Sequence, residues 1–142
     1  MRRRDFKETV ELFAIQLGMT VEQLDDDNAT ILFSGNGRQQ RVFLQTLGFD
    51  FRDRQLVGVS SPAMMIVGTE SFGVERCREL LSANAVLPHG AWAIQTHAGN
   101  RFLVMRDTLL LETLDPEEFE ASVMTVASAA DKFERQAGKD VY

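Results

Sequence analysis

The stretch from Asp115 to Phe133 constrains the fold more than any other part of the chain. Asp115 supplies a helix cap, Pro116 fits the first helical position, and Glu118 stands three residues after the cap. Phe119, Val123, Val126, Ala130 and Phe133 then recur at steps of four and three, forming one apolar stripe along a helix. Glu117, Glu118 and Glu120 favour the positive end of its dipole, and Lys132 and Arg135 sit near the other end, with order expected to fade at Gly138. A helix with one wide apolar stripe must bury it against another layer.

The preceding residues supply that layer. Phe6, Val10, Phe13 and Leu17 predict a first helix that stops at Gly18. Asp25-Asp26-Asp27-Asn28 reads as a polar link into a strand over Ala29–Ser34, and the turn around Asn36-Gly37 leads to a second strand around Arg41–Gln45. Charge clustered over Asp50–Arg54 marks the next reversal. A third strand follows at Leu56–Val59, reaching towards Ser61 before Pro62, with Met64–Val67 ambiguous. Thr69 or Ser71 is the expected cap of a second helix burying Val74, Cys77, Leu80 and Leu81, and Gly73 weakens it. Pro88 and Gly90 separate that helix from a strand at Ala91–His97, in which Trp92, Ile94 and Thr96 share a face. A turn at His97–Asn100 leads into Arg101–Met105, and Leu109–Leu111 extends that strand after a break near Asp107. The order is α-β-β-β-α-β-β-α. Short links make the pairings antiparallel, so the fold class is α+β, an antiparallel sheet packed by helices.

A chain of 142 residues with 44% hydrophobic side chains is expected to form one domain over 1–142 with a sizeable core. A single cysteine, Cys77, fits a reducing compartment, and cytoplasmic location is the default. No apolar run approaches the roughly 20 residues a membrane span needs. Asp5, Lys7, Glu8 and Glu11 follow Met1-Arg2-Arg3-Arg4 where a signal peptide would be uncharged. Of the net charge of −6, all lies beyond residue 106: nine acidic and three basic residues there, against 12 of each before it. Without a basic stripe, nucleic acid is not an expected partner.

The candidates for chemistry are weak on spacing or context. Cys77 lies on an apolar helical face, where packing is the simpler role, although Arg76 and Arg78 could lower its pKa. A small-ligand enzyme using Cys77 and a histidine is therefore the less favoured alternative. Ser60-Ser61 lacks the glycines of a nucleophile elbow. His89 and His97 have no cysteine or carboxylate at metal-ligand spacing. The Asp25–Asn28 run begins like a calcium loop, yet Thr30 and Asn36 stand where glycine and glutamate belong. Gly35-x-Gly37 has Gln40 in place of the third glycine of a dinucleotide fingerprint. Glu117-Glu118 and Asp26-Asp27 read as exposed carboxylates rather than a tuned acid–base pair. The expectation is a binding module, with no catalytic residues, no metal and no cofactor.

Several segments resemble the type III secretion chaperones of the Tir-chaperone kind, and YbjN-like proteins. They are Glu79-Leu80-Leu81-Ser82-Ala83-Asn84, Gly90-Ala91-Trp92-Ala93-Ile94, Arg101-Phe102-Leu103-Val104-Met105 and Thr113-Leu114-Asp115-Pro116-Glu117. The resemblance is one of layout over most of the chain and of wording over about residues 72–135. It departs over 55–67, which is longer and more apolar. The resemblance implies a secretion-chaperone-like domain without enzymatic activity, a homodimer that holds an extended segment of a client (effector) protein. It implies Phe72, Cys77, Leu81 and Trp92 as dimer-interface candidates. Phe6, Val10, Phe13, Val42 and Leu44 become candidates near client-binding surfaces. A YbjN-like regulatory or adaptor protein on the same fold is the alternative.

Overall fold

A computed structural model describes residues 4–68 and 72–141, with side chains to residue 137. The chain runs α1 (Phe6–Leu17), β1 (Thr20–Leu24), β2 (Asn28–Gly35), β3 (Arg38–Phe49), β4 (Gln55–Ile66), α2 (Val74–Asn84), β5 (Ala91–His97), β6 (Asn100–Leu110) and α3 (Pro116–Val141). The six strands form one antiparallel sheet in the order β1-β2-β3-β4-β6-β5.

Local chemistry explains the boundaries. Asp5 Oδ1 accepts the Glu8 N–H at 3.0 Å to start α1, and Gly18 ends it at φ 68°, a left-handed conformation that glycine adopts without cost. Asp115 Oδ1 accepts the Glu118 N–H at 2.8 Å at the start of α3, which continues past Gly138 to Val141. Both short hairpins turn through two residues of positive φ: Asn36 (51°) and Gly37 (74°), then Ala98 (51°) and Gly99 (83°). Their hand matches the strand twist. Alanine is the poor choice among these four, because its Cβ crowds the backbone there. Ala98→Gly is therefore expected to stabilise the protein by roughly 0.5–1 kcal/mol, read as a rise of about 2–4 °C in the melting temperature; an unchanged or lower Tm would contradict this.

Three strands differ from the sequence reading. β1 occupies a stretch between Gly18 and the Asp25 link to which the sequence reading assigns no element. Its Val21 and Leu24 are half-buried and the rest exposed, a short edge strand whose apolar signal is too thin to register as a period of two. It pairs with β2 through Val21↔Ile31, with an irregularity between Val21 and Gln23. β4 does not stop at Pro62 but runs to Ile66, because its register with β6 shifts between Pro62 and Met64. Such a bulge accommodates a residue that has no N–H to give the ladder. β6 likewise has no break at Asp107. That carboxylate accepts a hydrogen bond from Ser122 Oγ of α3 at 2.8 Å, tying the helix to the sheet.

The core lies between one sheet face and the helices α1 and α3. Ile31, Val42, Leu44, Val57, Val59 and Met105 meet Val10, Phe13, Phe119, Val123 and Val126, all buried. Phe13 and Phe119 pack edge to face, centroids 5.5 Å apart. A polar seam crosses the sheet beside this core. Ser61, fully buried, donates to Arg41 O at 2.6 Å, and Gln40 Nε2 donates to Ser61 Oγ at 2.7 Å.

Candidate functional site

Phe6, Val10, Phe13, Val42 and Leu44 are all buried in that core, at most 5% exposed. Burial excludes direct contact between these side chains and a client, which corrects the resemblance-based candidates to that extent: they are on the sides of α1 and β3 turned towards the core. Their neighbours are what the surface shows. Leu12 and Ile15 project from α1, 52% and 73% exposed, and Phe43 projects from the other side of β3. None of these three was expected from sequence.

The second helix corrects a further expectation. No described residue of α2 is buried. The inward side of the helix instead carries Leu80, which joins Phe72, Trp92 and Phe133 around the buried Ala63, Leu103 and Ala130. The Arg76 guanidinium lies 5.3 Å from the Phe133 ring centre. Val74 and Leu81, expected inside, are 67% and 69% exposed, and Cys77 is half-buried. Its cap is Gly73, without a side-chain hydrogen bond. The expected caps Thr69 and Ser71 lie outside the described residues. Val86 and Ile94 are also exposed, so this end of the molecule presents aliphatic side chains from α2, its following loop and the edge strand β5.

Asn84 fixes α2 against that edge. Its Oδ1 accepts the Trp92 N–H at 2.7 Å, and its Nδ2 donates to Trp92 O at 3.1 Å. One side chain thus does for Trp92 what a neighbouring strand would do, and closes the edge there. The indole in turn packs on Phe133, centroids 5.3 Å apart. Gly90, just before β5, has φ 77°, and a Cβ there would stand 3.0 Å from Met105 Sδ and 3.2 Å from Arg106 O. Asn84→Ala should cost about 1–3 kcal/mol, since it leaves two part-buried backbone groups unpaired. Hydrogen exchange at the Trp92 amide should accelerate in parallel; an unchanged exchange rate would contradict the role.

On the face away from α1 and α3 the sheet curls. Phe43 of β3 stacks on His97 of β5, centroids 6.0 Å apart and planes at 27°. In a flat sheet β3 and β5, with β4 and β6 between them, would lie about 14 Å apart. The curl makes a groove of about 510 Å³ whose walls include Phe43, Leu47, Pro62, Phe102 and Val104.

The sequence-flagged chemistry is dispersed. His97 stacks in the groove and His89 lies exposed in the loop before β5. Among the described residues no three His, Cys, Asp or Glu side chains are placed to hold a metal. The Asp25 run closes on itself: Asp25 Oδ1 accepts from the N–H groups of Asp27 (2.9 Å) and Asn28 (2.8 Å). Those backbone donors hold its carboxyl below the ordinary range. Asp50 organises the β3–β4 turn in the same way. Burial pushes its pKa up, but donation from the backbone and side chain of Arg54 and the backbone of Arg52 outweighs it, and the net shift is down.

The family model CesT_Tir_1 matches residues 3–136. The chain belongs to this type III secretion chaperone family. A solved chain in the crystal structure of the ExsC-ExsE complex shares the fold, with a TM-score of 0.61 and 21% identity over 93% of this chain and 96% of that one. No curated protein matches the sequence. Among the described residues no helix is long and apolar enough to cross a membrane. Family membership gives the α2–β5 region a context: the segment over Leu80–Asn84 that carried the resemblance holds both the outward Leu81 and the edge-closing Asn84.

Proposed function

We propose that this protein is a non-catalytic, cytoplasmic type III secretion chaperone that binds an extended segment of an effector-like client as a homodimer. Family membership supports the client class. The fold neighbour's presence in a complex of two differently named proteins supports a protein partner. The observation that carries the reading is the exposed aliphatic end formed by Val74, Leu81, Val86 and Ile94. Side chains of that kind gathered at one end suit an interface more than a solvated surface. In the homodimer this end is the contact between copies. Leu81 and Cys77 lie in it, and Phe72 and Trp92 support it from the layer beneath. A two-fold contact places the same patch opposite itself, which needs no second surface.

Client contact then falls to apolar groups outside that patch, with Leu12 and Ile15 of α1 as the leading candidates in place of the buried Phe6, Val10 and Phe13. Main-chain and side-chain binding of an extended segment requires no cofactor, metal, nucleic acid or membrane. A YbjN-like adaptor would share the fold but not the secretion client, and the family match supports the chaperone. Co-expression with candidate effectors encoded beside a secretion apparatus tests the reading. Co-purification of one of them with the dimer is expected, and a monomer that retains none would overturn it.

A further inference from the structure

The groove on the open face of the sheet carries an electrostatic signature unlike the rest of the molecule. The chain has 21 Asp and Glu residues and a net charge of −6, yet among the described residues no Asp or Glu lines this groove. Its ionisable lining residues are Arg106 and His97. Arg106 Nε is buried and meets no hydrogen-bond acceptor among the described residues, and none of the ion pairs among them involves this guanidinium. A buried donor on a charged group without an acceptor is costly, and a carboxylate is the group that would satisfy it best, through parallel N–H···O bonds.

The remaining lining narrows the ligand class. Phe43 and Phe102 give apolar, aromatic walls, whereas Gln45, Gln95 and Ser60 offer both donors and acceptors along the same face. Alternation of apolar and amide-bonding groups suits a peptide, whose backbone needs the second and whose side chains need the first. The groove also draws on residues from β1 to β5 rather than from one hairpin, as a ligand crossing the strands would require. The register explains how sequence places it. Phe43 faces Ser60, and Ser60 faces Arg106, so three successive strands aim these side chains at the same side of the sheet.

We infer that this groove is an acidic-residue subsite, in which Arg106 takes a carboxylate of an extended client segment and Phe43 and Phe102 take its apolar or aromatic neighbour. The inference rests on the client-binding reading and assigns it to the open face of the sheet, which borders β5 through Gln95 and His97 but lies away from α2 and from Leu12 and Ile15.

Panning a random decapeptide display library on the purified full-length protein tests it. Enriched peptides should carry Asp or Glu next to an aromatic or large aliphatic residue. Synthetic copies in which that acid becomes Asn or Gln should bind roughly tenfold to a hundredfold more weakly, as expected for a lost hydrogen bond to a charged group. Arg106→Gln should abolish this preference for the acid, and Arg106→Lys should retain part of it. Phe43→Ser alters only the groove wall, at a residue that is already 36% exposed, so it should weaken the same peptides while the fold persists by circular dichroism. Enrichment without an acidic preference, or peptides that bind both the Arg106→Gln and Phe43→Ser variants as well as the parent, would overturn the subsite and leave client binding intact. Full competition by millimolar acetate would likewise overturn it in favour of a small-anion site. No enrichment of any peptide would count against both readings.

Discussion

Phe119→Ala is expected to lower the free energy of unfolding by about 3–5 kcal/mol, the range for removing a buried aromatic ring from a packed core. Phe119 is fully buried, sits one turn into α3 and packs edge to face on Phe13 of α1. It therefore joins the two helices to each other as well as to the sheet, and its deletion opens a cavity where three elements meet. Domains of this size are stable by only about 5–15 kcal/mol, so the variant should be folded but marginal. Denaturant titration at a fixed protein concentration measures it, since oligomers unfold with concentration-dependent midpoints. A loss below about 1 kcal/mol would mean that the helices are held by something other than this contact.

Leu81→Asp is expected to convert the proposed dimer to a monomer while leaving the protomer folded. Leu81 is 69% exposed in the single chain, so the substitution removes no core contact. In a two-fold interface the change enters twice, and each new carboxylate would be buried without a partner, at a cost of about 3–5 kcal/mol per interface charge. Light scattering should report a mass near 16.0 kDa for the variant and about twice that for the parent, with matching circular dichroism. A variant that remains dimeric would place the contact elsewhere.

The pattern of what was legible follows from what periodicity encodes. In α1 and α3 the spacing of apolar residues identified the buried side correctly, because both helices meet the sheet within the same chain. In α2 the same signal included Val74 and Leu81, which face outward. An apolar stripe marks a surface that avoids water, not whether its cover belongs to the same chain. Strand residues show a related limit. Val42 and Leu44 stand out in β3, yet Phe43 between them faces the groove, since alternate side chains of a strand point to opposite faces. The groove depends on the curl that brings Phe43 to His97 across two intervening strands, and no local spacing records that. Asn84 was visible as part of the helix end. Its pairing with Trp92 required knowing that β5 is an edge.

The most direct test of the account is the composition of the native complex. Affinity purification from cells that produce the protein at its natural level, followed by native mass spectrometry, should yield two copies of the 16.0 kDa chain with a bound secretion substrate. A segment of that substrate should be protected from protease. A single 16.0 kDa chain with no bound protein would contradict it.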